Sequence, residues 1–334
     1  DCSKVISSTR AHVDVNYRLE RDGLKERKLK EKQIGTTKKG IGPCYTDKIS
    51  RDGIRFADFI DEDFPKIYEE HLKEKNELIE ELGGNPIDYE TSIEEYKKVI
   101  EFLKPHVKET VSFLAKARKE NKKILFEGAQ GSMLDIDFGT YPYVTSSNCT
   151  SGGALTGSGI GIGYIEGIVA IIKAYTTRVG EGPFVTELFD EISTTIREKA
   201  DEYGVVTHRP RRIGWLDLVQ LRFSQNVNGF KHGALMLFDI LSGLGDIKVC
   251  TAYELDGKII DYVPASLKET YRCKPIYKTF KGWNEDISKC KTYDELPQEA
   301  KDYVEFIEKE LGIKFVLISV GPDQKDTIVR EDIF

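Results

Sequence analysis

Ile168-Val169-Ala170-Ile171-Ile172-Lys173-Ala174-Tyr175 is a β-branched, apolar run of strand length, and runs of the same kind recur at 234–240, 247–253 and 314–320. Helical segments near 189–203, 215–228 and 297–311 alternate with them. That alternation predicts an α/β fold with a mostly parallel central sheet flanked by helices. Asp256-Gly257, set between Tyr253-Glu254-Leu255 and Lys258-Ile259-Ile260, is the chemistry of a tight turn, so an antiparallel hairpin excursion is expected there. Upstream, Lys123-Ile124-Leu125-Phe126 reads as a further buried strand that opens into a glycine-bearing loop at Glu127. A charged helix is expected from about 10 to 32, and helical spacing over 64–83 and 92–119 makes a helical subdomain of about 60–120. No repeat, low-complexity tract or flexible linker interrupts the chain, so 1–334 reads as a single domain.

The 334 residues are 40% hydrophobic, enough for a real apolar core, and the formal net charge of -7 is spread among mixed signs. Such a field selects neither nucleic acid nor an anionic membrane. The longest apolar stretch, 160–174, is broken by Gly161, Gly163, Glu166, Gly167 and Lys173, so no membrane span is expected. The first residues lack the pattern of a secretory signal, which points to a cytoplasmic setting. The six cysteines form no C-x-x-C pair and the five histidines no H-E-x-x-H, so no metal site built by the chain is expected; magnesium carried by a nucleotide stays open.

Three segments carry chemistry. Gly35-Thr36-Thr37-Lys38-Lys39-Gly40-Ile41-Gly42-Pro43 converges hydroxyls, ammonium groups and free backbone N–H groups in a way that suits a phosphate, although an ordinary solvated loop has the same composition. It is not a Walker A loop, because Ile41 stands where that motif needs lysine. The long polar loop 126–148 offers Gln130, whose carboxamide suits a purine edge, and Thr145 with Ser146 for a phosphate; its Asp and Asn residues equally suit loop-internal turns. Thr207-His208-Arg209-Pro210-Arg211-Arg212 is the one concentrated basic cluster, with forks that match carboxylates and phosphates. The alternating glycines 157, 159, 161 and 163 miss the dinucleotide fingerprint.

Ile34 to Pro43 with Tyr45, Lys48 and Arg51, then Glu127 to Asn148, then Lys173-Ala174-Tyr175-Thr176-Thr177-Arg178-Val179-Gly180, then Arg211-Arg212-Ile213-Gly214-Trp215-Leu216-Asp217 resemble the adenylosuccinate synthetase family, from about Ile6 to the C-terminus. The resemblance implies a P-loop-NTPase-like fold and a homodimer that joins IMP to L-aspartate, with GTP as co-substrate and Mg2+ as cofactor. In that reaction IMP O6 attacks the γ-phosphoryl group, and the aspartate amine then displaces phosphate from the 6-phosphoryl intermediate. Carried over position by position, the IMP-binding residues are Thr37, Arg51 acting on the partner subunit's site, Gln130, Thr145, Val179 and Arg209. Val205, Val206, Thr207, His208, Arg209 and Arg211 would form the aspartate loop. Arg211, Leu237, Phe238, Asp239, Ser319, Val320 and Gly321 would hold GTP, with Asp239 accepting from guanine. Lys48 and Gln130 would be the catalytic-site residues within 1–334.

Two departures accompany the resemblance. The family's G-D-E-G-K-G-K region with its catalytic aspartate, and the catalytic histidine and magnesium contact that follow, have no counterpart within 1–334, so no metal ligand is assigned and this chain alone is expected to be inactive; the alternative is a nucleotide-binding pseudoenzyme or inactive fragment. Leu237 and His208 stand where the family usually has lysine and glycine.

Overall fold

The fold is taken from a computed structural model that describes residues 4–29, 38–204 and 208–332. The chain forms two compact units, one of 1–127, 145–148 and 153–160, the other of 128–144, 149–152 and 161–334.

The first unit holds β1 (Ser7–Ser8), α1 (Asn16–Leu29), α2 (Ile41–Ser50), α3 (Phe56–Phe59), α4 (Phe64–Glu81), α5 (Tyr89–Leu103), β2 (Val107–Lys108) and α6 (Thr110–Lys119), with β1 parallel to β2. Phe64, Tyr68, Leu72, Lys75 and Ile79 make the buried stripe of α4, three to four residues apart as a helix facing a core requires. An aromatic cluster fills that core, with the rings of Phe59 and Phe64 edge-on at 4.7 Å and Tyr96 against both. The helical pattern over 92–119 is split. Pro105 lacks the N–H that the ladder needs, so the chain turns through Lys104–His106, and α6 restarts where the Glu109 side chain accepts from the Val111 and Ser112 N–H groups. The strand expected at 123–126 is absent: no described segment pairs with it, and Leu125 is 75% exposed. An apolar run becomes a strand only where a neighbouring ladder takes up its backbone groups.

After α7 (Ser151–Ser158), the second unit holds β3 (Val169–Lys173), β4 (Thr176–Arg178), α8 (Glu191–Lys199), β5 (Arg212–Gly214), β6 (Leu216–Asp217), α9 (Leu218–Asn228), β7 (His232–Met236), β8 (Ile247–Leu255), β9 (Lys258–Ile260), α10 (Leu267–Thr270), β10 (Lys274–Phe280), α11 (Gln298–Leu311), β11 (Lys314–Ser319) and β12 (Thr327–Val329). One sheet runs β12-β11-β7-β3, with β3, β7 and β11 mutually parallel and β12 antiparallel at its edge. The run at 247–253 departs from the single-sheet expectation: β8 centres a second sheet, parallel to β6 and antiparallel to β9 and β10. Its turn explains this, because Asp256 and Gly257 both adopt positive φ (52° and 80°) and fold the chain back on itself. The core of this unit packs α11 residues Ala300, Tyr303, Val304 and Ile307 with Leu235, Phe315 and Ile318 of the parallel sheet. Among the described residues no helix is long and apolar enough to cross a membrane.

Candidate functional site

β7 and β11 run parallel with Leu235 opposite Ile318, so the chain leaves both strands at the same sheet edge, where α/β folds place ligands. The Phe238 N–H donates to the Ser319 carbonyl (3.1 Å), and the Ser319 hydroxyl donates to the Gly321 carbonyl (3.0 Å). A Cβ on Gly321 would stand 2.8 Å from Asp326 Oδ2, so a side chain there would have to displace Asp326. The segments 237–239 and 319–321 thus lie side by side. Leu237 holds φ at 58°, left-handed backbone that is strained for a branched side chain.

Beside this edge lies a cavity of about 340 Å³ lined by Asp239 together with Lys199, Ser242, Asn284, Asp286 and Ser288. Asp239 Oδ1 is buried without a hydrogen-bond partner. Burial first, then the carboxylates of Asp286 and Asp326, push its carboxyl above the ordinary range, against its own backbone N–H and Lys199. An orphaned buried acceptor is costly, and donors from a ligand would satisfy it. Lys199 and 284–288 were not singled out from sequence; they come from the last turn of α8 and an ordinary polar loop, and only tertiary structure joins them to Asp239.

Next to Asp239 stands a second polar centre. The Glu202 side chain is 1% exposed and accepts from Lys173 Nζ (2.6 Å), the Tyr175 hydroxyl (2.7 Å) and Arg211 (2.5 Å). Lys173 ends β3 and also donates to Thr177 Oγ1 (3.1 Å). Burial opposes the charge on Glu202, yet these three partners outweigh it and hold the carboxyl below its usual range. Two cations share one carboxylate, which leaves the centre net positive and suited to phosphate or carboxylate. The Tyr175 phenol, raised mainly by burial, feels both Glu202 and Asp239, so the two centres are electrostatically continuous.

Glu202 also closes the base of the predicted aspartate loop, since its carbonyl accepts the Arg211 N–H (2.8 Å) while the Gly204 N–H donates to the Arg209 carbonyl (2.9 Å). His208 holds φ at 49°, and it and Arg209 are exposed. Val205, Val206 and Thr207 lie outside the described residues, as does Thr37. The neighbouring Arg212 pairs with Glu187 and donates to the Gly180 and Gly182 carbonyls, whereas Arg178 donates to the Tyr143 carbonyl (3.1 Å), leaving Val179 54% exposed. Gln130 is exposed at φ 62°, with Cys149 Sγ 3.7 Å from its carboxamide oxygen.

The remaining candidates belong to the first unit. Lys48 and Arg51 sit exposed at the end of α2, Lys48 with its ammonium 5.4 Å from the Tyr45 ring centre and Arg51 at φ 68°. Thr145 is half-buried, and Ser146 Oγ lies 3.6 Å from where a Cβ on Gly42 would stand. Gly40 opens α2 at φ 78° and donates its N–H to Asp22 Oδ2 (3.1 Å); a Cβ there would meet Asp14 Oδ1 at 2.6 Å. Burial, against Arg18 and with the charges of Asp22 and Asp47, pushes Asp14 up to about 6. A raised carboxyl favours the fold when protonated, and that contribution is lost as pH rises from about 4 through about 6. Asp14→Asn is therefore expected to exceed the natural chain in stability by about 1 kcal/mol at pH 7.5, after discounting for solvent screening, and to match it near pH 4. Urea unfolding at the two pH values checks this; an equal gap at both would remove the titration of Asp14 as its cause.

Comparison with known proteins identifies the family. The profile of the family described as adenylosuccinate synthetase matches residues 1–328. The chain is 50% identical to adenylosuccinate synthetase of Ligilactobacillus salivarius (strain UCC118) over 329 residues, 98% of this chain and 76% of that protein. It is 50% identical to the enzyme of the same name from Fusobacterium nucleatum subsp. nucleatum over 330 residues, 98% of this chain and 78% of that one. The solved structure of fully ligated adenylosuccinate synthetase from Plasmodium falciparum superposes with a TM-score of 0.94 at 40% identity, covering 98% of this chain and 78% of that one. With the family profile and these relatives in agreement over nearly its full length, the chain belongs to the adenylosuccinate synthetase family.

Proposed function

We propose that this chain ligates IMP and L-aspartate to adenylosuccinate at the expense of GTP, as a cytoplasmic homodimer in AMP synthesis. The observation that carries the reading is Asp239, which lines the cavity past the end of β7 and keeps one carboxylate oxygen buried without a partner: guanine offers N1–H and N2–H donors side by side, and a carboxylate accepts both. Leu237, Phe238, Ser319, Val320 and Gly321 would wall that base site, and Arg211, held by Glu202, would meet the GTP phosphates and the aspartate. Gln130 reads the hypoxanthine, Val179 and Arg209 the ribose, and Thr37 and Thr145 the IMP phosphate, with Lys48 in support and Arg51 acting on the partner subunit's site. Val205, Val206, Thr207, His208, Arg209 and Arg211 would bind aspartate. In the first step a bond forms from IMP O6 to the γ-phosphorus, GDP departs and N1 loses its proton; in the second the amine bonds to C6 and phosphate departs. Positive groups placed where charge moves are what such transfers need.

We read the two compact units as parts of one synthetase domain, with 60–120 as its helical excursion. The five described cysteines, Cys44, Cys149, Cys250, Cys273 and Cys290, are all free thiols, in keeping with a reducing compartment. Members of the family use Mg2+, but among the described residues no three His, Cys, Asp or Glu side chains come together as ligands, so these residues do not fit a cage for the ion. Calorimetric titration tests the reading: IMP and GDP should each bind, and Asp239→Asn should weaken GDP by about 10- to 100-fold while leaving IMP unchanged. Absence of heat with IMP under tight-binding conditions would end it.

A further inference from the structure

The cavity beside Asp239 carries one cation, Lys199, among its described lining residues. Most other polar groups there are already engaged. The Ser288 hydroxyl donates to Asp286 Oδ1 (2.7 Å), and Ser242 Oγ accepts the Trp283 indole N–H (2.8 Å). Lys199 Nζ donates to the Ser242 carbonyl (2.9 Å), and an ammonium has three N–H groups. Asp239, whose Oδ1 is buried with an unused lone pair, and Lys199, a donor with unused protons, therefore line one cavity, and the charge on Lys199 bears on the Asp239 carboxyl.

This polarity matches one kind of base. A 6-oxopurine presents an oxygen acceptor at C6 next to an N–H donor at N1, whereas a 6-aminopurine presents donor and acceptor in the opposite order. Against Asp239 and Lys199, the first makes two attractive pairs and the second two repulsive ones. We propose that Lys199 is a specificity-determining residue of the nucleotide pocket, donating to the 6-oxo oxygen of the base while Asp239 accepts from N1 and N2. The assignment rests on the guanine-site reading above and deepens it, because a carboxylate alone reads only half of the base edge.

The bland role for Lys199 is structural, since it lies in the last turn of α8 and cationic side chains there complement the helix dipole. Titration of the full chain with GDP and with 6-thioguanosine diphosphate, which keeps the N1–H and N2–H donors but has a weakly accepting sulfur in place of O6, separates the two roles. Lys199→Met should weaken GDP by about 10-fold or more and the thio ligand far less, and Lys199→Arg should retain GDP because its fork still donates. Equal weakening of both ligands, as from lost packing or lost attraction to the diphosphate, would overturn the proposal, and so would a GDP affinity that does not move. If the natural chain binds neither guanine nucleotide, the underlying reading fails instead, a result visible before any variant is made.

Discussion

Replacement of Glu202 by alanine is expected to lower the unfolding free energy by about 3–5 kcal/mol, because it removes the single carboxylate that neutralises two partly buried cations. Lys173 and Arg211 would then face each other, and Arg211 Nε is already buried without a partner. Their side chains keep 30% and 27% exposure, so some of the loss is recovered by water, and Glu202→Gln, which retains an acceptor, should lie well below the alanine figure. The pH dependence follows from the direction of the carboxyl shift. A depressed carboxyl contributes stability above its unfolded value of about 4.3 and loses it as pH falls through the lower folded value. The gap between the natural chain and the alanine variant should thus be level from pH 6 to 8 and shrink only below about pH 4. In urea unfolding at pH 7, a difference under about 1 kcal/mol with unchanged slope would mean that both cations swing to solvent at little cost. Arg211 should lose its orientation as well, so nucleotide affinity is expected to fall along with stability.

What could be read beforehand follows what is local. The runs that became β3, β7 and β11 carry the β-branched, apolar composition typical of parallel strands, and that signal is written into each run separately. Asp256-Gly257 was equally legible, since only a few residue pairs accept two positive φ angles in succession. Residues 123–126 have the composition of a buried strand and are none, because a strand is a property of a pair of segments. At the site, Asp239 and Ser319 lie just past or at the ends of adjacent parallel strands, so strand order alone brings them together once the sheet is known. Lys199, Asn284 and Asp286 had no such signal: they reach the cavity from a helix end and a loop whose positions depend on the packing of the whole unit. Glu202 was invisible for a related reason, since a buried carboxylate is distinguished by its partners and not by its neighbours in sequence, whereas the loop-internal turn at Asp135 was legible as a class but its long-range bonds to Cys149 and Thr150 were not.

Asp135→Ala is expected to be the second large loss, concentrated in one loop. The carboxylate is fully buried and accepts four backbone N–H groups: Asp137 (2.9 Å) and Phe138 (3.1 Å) on one oxygen, Cys149 (2.6 Å) and Thr150 (3.3 Å) on the other. It therefore joins the start of the loop to its end, and the bonds keep its carboxyl low although burial works the other way. At about 1 kcal/mol each, four lost bonds amount to about 4 kcal/mol, and Asp135→Asn, which keeps one oxygen, should lose about half. The loop also depends on Gly139, where a Cβ would stand 2.5 Å from the carbonyl oxygens of Met133 and Asp135, so the backbone cannot drift to new partners without breaking these contacts. The expected result is local opening: faster amide exchange and proteolysis within 128–150 while β7 and β11 stay protected. Gln130 rides on this loop beside Cys149, so IMP affinity should fall by about 10- to 100-fold, whereas GDP, bound at the strand edge, should be unaffected. Parallel loss of both ligands would show that the variant unfolds globally, and a loop that stays protected would show that water replaces the carboxylate without cost; either result removes Asp135 as the residue that holds the purine-reading loop in place.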